Sequence, residues 1–258
     1  MDTNAIADLL YQSEYSASPI EPLSVTYPDL SLQDAYKIQM QGVAKRCGQD
    51  SRKIIGKKIG LTSLAMQKLL GVDSPDYGHL MDHMLVPEGM PISRKDLLLP
   101  KVEGEVAFVL KEDLRGPGIT IADVLRATEG VMAAIEIVDS RIRDWKIKLT
   151  DTVADNASSA RFVLSGSLLP VRKFDLRLIG MVLLKNGEIV NTGAGAAVWG
   201  HPAGSVAWLA NSLASFGVAL EKGEVILSGA VTAAVNAESG DCFQIEFQGL
   251  GSVGTRFI

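Results

Sequence analysis

Apolar positions recur at helical spacing within the first 50 residues of the chain. Residues 4–11 form a short amphipathic run, and Ser31 stands as a candidate N-cap before a longer one. The apolar positions of the longer run are Leu32, Tyr36, Met40 and Val43. The pattern predicts two helices, the second reaching about residue 46, and therefore a helical N-terminal segment over residues 1–50.

Beyond residue 50 the apolar positions form short runs between turn residues, which is typical of strands. The runs cover residues 53–60, 106–110, 134–138, 162–164, 179–184, 224–227 and 243–247. Asn186 and Gly187 lie between two apolar runs and predict a β-hairpin. Helical patterns cover residues 63–70, 120–128 and 202–216. The alternation predicts an α+β fold, with a β-rich domain over residues 51–258.

The composition is that of an ordinary globular chain. Its 258 residues are 47% hydrophobic and 21% charged, and the net charge of −5 argues against nucleic acid as a partner. The first 20 residues lack the apolar core of a secretory signal, and no uncharged apolar run approaches the roughly 18 residues of a membrane span. We expect a cytoplasmic protein without a membrane partner, in which Cys47 and Cys242 are free, buried thiols.

The first chemical pattern is a pair of glutamates before an apolar run. Glu103 and Glu105 are two residues apart, so both carboxylates face the same side of a strand. Carboxylates this close repel each other unless a proton or a cation lies between them. Oxygen ligands suit a hard ion such as Mg²⁺ or Mn²⁺. A solvated strand face is the alternative interpretation of this pair.

A third glutamate lies inside another apolar run. Glu136 stands between Ile135 and Ile137, and a carboxylate is costly to bury unless it is paired or ligated. An exposed strand position is the alternative. Asp139 and Arg141 follow, and we expect them to pair with each other in a structural role.

Lys58 and Asp76 are candidates for acid–base chemistry. Lys57 and Lys58 are adjacent, so only one of them can point inward from a strand, where it can act as an acid, a base or an anion clamp. Two exposed lysines are the alternative. Asp76 lies in the sequence Pro-Asp-Tyr-Gly, which is also an ordinary turn. His79 and His83 are four residues apart, and we expect both of them and His201 to be structural.

A polar run of small residues, 151–160, precedes the apolar residues 162–164. Its hydroxyl, amide and backbone groups, including those of Ser158 and Ser159, are suitable donors to an anion. A turn-rich connection is the alternative.

Together these segments resemble the fumarylacetoacetate hydrolase superfamily, and within it the 2-hydroxypenta-2,4-dienoate (2-oxopent-4-enoate) hydratases of aromatic meta-cleavage pathways. The resemblance covers nearly the whole chain. The matching stretches are IGKKIGLTS from residue 55, PDYG from 75, EGEVAFVL from 103, AIEIVDSRI from 134, DWKIK from 144, DTVADNAS from 151, GAGAA from 193, ILSGA from 226 and GLGSV from 249.

The resemblance implies a β-rich fold around a rolled sheet and a site for Mg²⁺ or Mn²⁺. Glu103, Glu105 and Glu136 match the metal ligands, Lys58 matches a catalytic lysine, and Asp76 matches its acidic partner. The implied reaction is metal-dependent hydration of 2-hydroxypenta-2,4-dienoate to 4-hydroxy-2-oxopentanoate. The implied partners are this small acid, further copies of the chain in a homo-oligomer, and the decarboxylase of the same pathway.

Three alternatives stay open beside the hydratase. The 2-oxo-3-hexenedioate (4-oxalocrotonate) decarboxylases share the fold and the metal ligands, and GAVTAAV from residue 229 resembles theirs. In that case Arg161 would bind the second carboxylate of the substrate. A hydrolase of acylpyruvates would need a His–Glu pair that the three histidines do not suggest. A non-catalytic partner subunit is the remaining alternative, and the intact glutamates and Lys58 speak against it.

Overall fold

A computed structural model describes residues 1–63, 67–68 and 71–258 of the chain. The helix predicted over residues 63–70 falls largely outside these ranges. The described helices are α1 (Thr3–Ser16), α2 (Leu23–Thr26), α3 (Leu32–Gln49), α4 (Ile121–Ala127), α5 (Leu149–Ala154) and α6 (Pro202–Ala214). None of the helices in these ranges has the length and apolar character needed to cross a membrane.

The described strands form two sheets. They are β1 (Ile54–Gly60), β2 (Asp76–Met81), β3 (Pro91–Ile92), β4 (Lys101–Leu110), β5 (Thr128–Val138), β6 (Ser159–Leu164), β7 (Gly180–Lys185), β8 (Glu188–Ala194), β9 (Val225–Leu227), β10 (Val235–Asn236), β11 (Cys242–Phe247) and β12 (Gly251–Phe257). The larger sheet has the order β2-β1-β9-β4-β5-β6, with β10 beside β4, and the smaller one has the order β3-β12-β11-β7-β8. The predicted β-rich α+β fold is confirmed.

The main core fills the space between the two sheets. Alternate residues of β4 and β5, such as Val106 and Ile135, meet Ile245 and Val253 of the smaller sheet. Because side chains alternate along a strand, the intervening residues of β4 and β5 point to the opposite face of the larger sheet. That face carries the predicted glutamates. The predicted hairpin joins β7 to β8, where Asn186 and Gly187 adopt φ values of 56° and 83°, as a type I′ turn requires.

The N-terminal helices cover one end of the larger sheet. The Ser31 hydroxyl accepts a hydrogen bond from the Asp34 amide, which makes Ser31 the N-cap of α3 as predicted. The apolar faces of α1 and α3 pack against the segment that includes α5. Buried residues of this cluster are Ile6, Leu10, Ala35, Ile38, Ile142, Val153 and Ala154. The helices therefore support the loop between β5 and β6.

Three local expectations are wrong. Asp76 does not lie in a turn but begins β2, where it pairs with Gly60. Cys47 and Cys242 are free as expected, but neither is buried: Cys47 is half-buried, and Cys242 is exposed because it occupies an outward position of β11. Asp139 does not pair with the Arg141 guanidinium, because its carboxylate accepts the amides of Leu98 and Leu99.

Arg141 instead pairs with Asp155 in the interior. The Arg141 Nε donates to the Asp155 carboxylate at 2.5 Å, and Nη1 donates to the carbonyls of Asp139 and Ser159. Burial raises the pKa of Asp155 to about 6, although the Arg141 charge opposes that shift. The ion pair thus fixes the connection that leads from α5 into β6.

We expect Arg141→Met to lower the free energy of unfolding by about 3–5 kcal/mol, because it leaves the Asp155 carboxylate buried without its cation. Arg143→Met is the matched control, since the Arg143–Glu21 pair is largely exposed and should change stability by less than about 1 kcal/mol. Urea unfolding of both variants measures the difference. Equal effects of the two substitutions would contradict a structural role for the buried pair.

Candidate metal centre

Three glutamates converge on one face of the larger sheet. β4 and β5 are antiparallel neighbours, and their register places Glu103 directly opposite Glu136. Glu105 lies two residues farther along β4 and therefore on the same face. One oxygen from each carboxylate lies within 4.8 Å of the others. Glu105 and Glu136 are fully buried, so this is not a solvated strand face.

Packing on the other side of β4 explains the small residue between the two glutamates. Gly104 faces the smaller sheet, where an added Cβ would lie 3.0 Å from side-chain carbons of Met181 and Ile245. Contacts of that length would force those side chains to shift. The Glu-Gly-Glu sequence thus carries two carboxylates on one face and allows close approach of the second sheet on the other.

Lys58 and Asp76 complete the polar cluster from β1 and β2. The Lys58 Nζ lies 3.3 Å from Glu136 Oε1. Asp76 pairs across from Gly60, where a Cβ would lie only 2.2 Å from Asp76 Oδ1. Glycine at position 60 therefore leaves space for the Asp76 carboxylate. The structure brings together all five residues that the resemblance linked to catalysis and metal binding.

Several buried oxygens of the cluster lack a hydrogen-bond donor among the described residues. They are Asp76 Oδ1, Glu105 Oε1, Glu136 Oε2 and Glu136 Oε1, which lies 3.3 Å from Lys58 Nζ in an ion pair but accepts no hydrogen bond from it. Glu105 Oε2 accepts the Gly229 amide at 2.7 Å. Buried carboxylate oxygens normally have donors or a cation, and an all-oxygen set suits a hard divalent ion. The donor set of Glu103, Glu105 and Glu136 therefore fits Mg²⁺ or Mn²⁺.

Burial and mutual repulsion raise the pKa values of the carboxyl groups in this cluster. Burial, followed by the Glu136 charge, raises the pKa of Glu103 to about 7. Burial and the neighbouring carboxylates raise the pKa of Glu105 well above its usual range. Burial also raises the pKa of Asp76 to about 6, although the charge of Lys58 opposes that shift. Without a bound cation, the cluster favours partial protonation.

Lys58 is stabilised as a cation. Burial alone would lower its pKa, but the surrounding carboxylates, with Glu136 first, outweigh burial and raise the pKa above its usual range. Lys57 points to the opposite face of β1 and pairs with Glu224 at 2.5 Å. The two lysines face opposite sides of β1 as expected, but the expectation that only one of them points inward is wrong, because both are buried.

A cavity of about 320 Å³ opens onto the cluster. Its polar wall includes Lys58, Asp76, Glu103, Lys101, Thr152 and Ser158. The rest is mainly apolar, with Leu61, Val138, Trp145, Ile147, Ala157 and Ala234. A small acid can therefore reach Glu103 and Lys58 with its polar end and contact apolar side chains with its tail.

The three residues predicted to bind substrate do not lie together in the structure. The Ser158 hydroxyl lies 3.4 Å from that of Thr152 at the cavity wall. Ser159 is buried, and its hydroxyl lies 4.0 Å from the Met84 sulfur. Arg161 pairs with Ile137 in the sheet register, so it faces away from Glu136, and its Nη1 donates to the Ala160 carbonyl. Among these three, only Ser158 lines the cavity.

Lys101 is the charged residue of the cavity that was not predicted from the sequence. It lies two residues before Glu103 and thus on the same strand face, a spacing that was available in the sequence. Its Nζ lies 4.5 Å from the centre of the Trp145 ring. The Trp145 indole is held by a hydrogen bond to the Leu99 carbonyl. Within the described residues, no carboxylate lies in ion-pair distance of Lys101.

Comparison with known proteins gives the same family as the sequence motifs. Residues 66–258 match the model of the fumarylacetoacetate hydrolase C-terminal family. A 2-hydroxypent-2,4-dienoate hydratase of Pseudomonas putida is 51% identical over 218 residues, which are 84% of this chain and 97% of that protein. A 4-oxalocrotonate decarboxylase of Pseudomonas sp. (strain CF600) is 44% identical, with 98% of this chain and 96% of the relative covered.

A solved structure is similar over almost the whole chain. It is the 4-oxalocrotonate decarboxylase of Pseudomonas putida G7, complexed with magnesium and adipate. The TM-score is 0.96 at 41% identity, with coverage of 99% of this chain and 97% of that one. The similarity extends through the N-terminal helices as well as the two sheets.

We expect Glu105→Gln to weaken Mn²⁺ binding by at least about tenfold, because one anionic ligand becomes neutral. Isothermal titration measures the affinity, and Glu112→Gln, at an exposed position, is the control. Binding should also weaken from pH 8 to pH 6, because protons compete for Glu103, whose pKa is raised to about 7. Unchanged affinity in Glu105→Gln would exclude this carboxylate as a ligand.

Proposed function

Because the chain belongs to the fumarylacetoacetate hydrolase family, we propose that it is a metal-dependent hydro-lyase of aromatic meta-cleavage catabolism. Its reaction is the addition of water to 2-hydroxypenta-2,4-dienoate, which gives 4-hydroxy-2-oxopentanoate. The observation that carries the proposal is the buried cluster of Glu103, Glu105 and Glu136 beside Lys58 and Asp76. The identity of 51% to a 2-hydroxypent-2,4-dienoate hydratase supports the same reaction.

Glu103, Glu105 and Glu136 would hold the divalent ion, either Mg²⁺ or Mn²⁺. When bound, such an ion supplies Lewis-acid stabilisation of negative charge on the substrate. The magnesium in the solved decarboxylase at 41% identity supports a divalent ion for this family of sites. Abolition of turnover by a chelator, and its recovery on addition of Mg²⁺ or Mn²⁺, tests this part of the proposal.

Lys58 and Asp76 are the groups that we assign to proton transfer and to orientation of water. Lys58 is held as a cation by the carboxylates around it, so it can attract the anionic substrate and donate a hydrogen bond. The pKa of Asp76, raised to about 6 by burial, lies close enough to neutrality for this carboxyl to exchange protons. Both residues line the cavity, where a bound substrate would contact them directly.

The remaining cavity wall supports a substrate with one carboxylate. Leu61, Val138, Ile147, Ala157 and Ala234 present an apolar surface that matches a vinyl or short alkyl tail. Arg161 is turned to the Ala160 carbonyl, away from this wall. Both features favour the five-carbon acid over a diacid, because neither supplies the cation that a desolvated second carboxylate requires.

A 4-oxalocrotonate decarboxylase is the second candidate. Lys101 lines the same cavity without an ion pair among the described residues, and its cation is suitable for a second carboxylate. The relative at 44% identity and the solved structure with adipate carry that activity in their names. Homo-oligomer formation and a complex with the pathway decarboxylase stay predictions of the family resemblance.

We expect Lys58→Met to reduce kcat by about 10²-fold or more, since it removes the cation beside Glu136 and a proton-transfer group. The control is the double variant Lys57→Met/Glu224→Gln, which removes the buried pair on the other face of β1 without leaving Glu224 unpaired. That variant should keep kcat within about threefold. Steady-state kinetics with 2-hydroxypentadienoate distinguishes them, and comparable kcat values would remove Lys58 from the mechanism.

Two substrates separate the two candidate functions. We expect consumption of 2-hydroxypentadienoate, followed by ultraviolet absorbance, and no CO₂ release from 2-oxohexenedioate. Arg161→Met should leave kcat/KM for the pentadienoate nearly unchanged, because Arg161 lies outside the cavity wall. CO₂ release that falls at least about tenfold in Lys101→Met, but not in Arg161→Met, would instead assign the decarboxylase.

A further inference from the structure

A second, larger cavity of about 600 Å³ lies behind the candidate metal centre. Lys57, Tyr77 and His79 line it, and each is adjacent in sequence to a residue on the opposite face of β1 or β2. Lys58 and Asp76 occupy that opposite face, together with Gly78. The two cavities therefore share one pair of strands as a common wall, and the proposed reaction makes no use of the second one.

Aromatic side chains form the interior and the mouth of this second cavity. The rings of Tyr36 and Tyr77 stack, with their centres 4.7 Å apart and their planes 18° from parallel. Phe216 lies 6.3 Å from Tyr36 and is 56% exposed at the mouth. Met40 and Leu213 add apolar surface. Walls of this kind bind flat aromatic molecules, because rings pack well against other rings.

His79 supplies one polar atom that can orient a molecule bound in this cavity. The Gln39 amide nitrogen donates to the carbonyls of Tyr77 and Val153, so Gln39 Oε1 faces His79 Nδ1 at 3.1 Å as an acceptor. Nδ1 must then carry the proton, which leaves Nε2 as an acceptor. Burial, with the Lys57 charge, lowers the pKa of His79 to about 4. No hydrogen bond to Nε2 is found among the described residues, and His79 as a whole is only 3% exposed and lines the cavity.

Charge in the cavity is already balanced. Lys57 is paired with Glu224, and the other Glu224 oxygen accepts the Glu221 amide. The remaining charged groups, Lys37 and Glu221, are exposed at the rim. An ion would find no unpaired buried charge of the opposite sign, whereas a neutral molecule loses little on entry.

We propose that this cavity is a binding site for a neutral aromatic molecule of one or two rings, whose hydroxyl group donates a hydrogen bond to His79 Nε2. A pair of hydrogen bonds connects the strand that carries His79 to the wall of the other cavity. The His79 backbone exchanges two hydrogen bonds with the Asn156 side chain, at 2.8 and 2.9 Å. Asn156 immediately precedes Ala157 and Ser158, which line the other cavity.

Binding of 2-naphthol and of 2-fluoronaphthalene, which has nearly the same shape but no donor, tests the proposal. Isothermal titration is carried out on the full chain with Mg²⁺ and oxalate present, so that the metal centre is occupied. Both probes should bind at one site. His79→Phe should weaken 2-naphthol by about threefold to tenfold relative to 2-fluoronaphthalene, the loss of one hydrogen bond.

A substitution at the mouth of the cavity tests the proposal even if His79→Phe alters the folding of the protein. Phe216→Asp places a charge against the ring and should weaken both probes at least about threefold, whereas Leu178→Asp, at an exposed position elsewhere, should not. Probe binding that is seen only when oxalate is left out, absence of binding, or an unchanged affinity ratio in a folded His79→Phe would overturn the proposal. So would sedimentation showing that Phe216→Asp dissociates an assembly, because a second copy would then cover this face.

Discussion

The burial of three carboxylates against one another is the constraint on which the site depends. Glu103 and Glu136 face each other across β4 and β5, and Glu105 lies on the same face. Lys58 contributes one positive charge at 3.3 Å from Glu136, which is too little to balance the cluster. Such an arrangement is stable only with protons or a cation among the oxygens. A divalent ion satisfies both the charge and the oxygens that lack donors.

The sheets hold this cluster in place because its members lie on paired strands rather than on loops. Close packing, and not backbone flexibility, explains the glycines at positions 104 and 60, since a Cβ at either position would meet a side chain at 3.0 Å or less. The Arg141–Asp155 pair fixes the connection into β6. Loss of either partner of such a pair is strongly destabilising, because it leaves the other charge buried and uncompensated.

Sequence periodicity was sufficient to predict the strand face and the burial of the glutamates, but it could not predict which residues surround them. Two-residue spacing places Glu103 and Glu105 on one face in any strand, and an isoleucine on each side of Glu136 indicates burial. Local patterns carry no information on which strands pair, so they could not give the register that sets Glu103 opposite Glu136. For the same reason the turn chemistry around Asp76 concealed the start of β2, which only the pairing with Gly60 defines.

Long-range contacts also explain why Lys101 was not predicted to line the cavity and why Arg141 was assigned the wrong partner. Lys101 shares the spacing of the glutamates, yet its relation to the cavity depends on Trp145, 44 positions away in sequence. Arg141 has Asp139 as its nearest acidic neighbour in sequence, but the Asp139 carboxylate is occupied by two amides. A pairing rule based on proximity along the chain fails wherever the backbone supplies a competing partner.

The polar and the apolar wall of the cavity at the metal centre come from different parts of the fold. This explains how related chains with one fold can be named for different reactions. The carboxylates, Lys58 and Asp76 come from paired strands, whereas Leu61, Trp145, Ile147 and Ala234 come from connections between strands. Substitutions in connections disturb fewer hydrogen bonds and less packing than substitutions in a central sheet. The wall that meets the substrate tail can therefore change from apolar to cationic while the metal ligands stay fixed. Relatives named as hydratase and as decarboxylase, at 51% and 44% identity, are consistent with such a division, and Lys101 stands where the two walls meet.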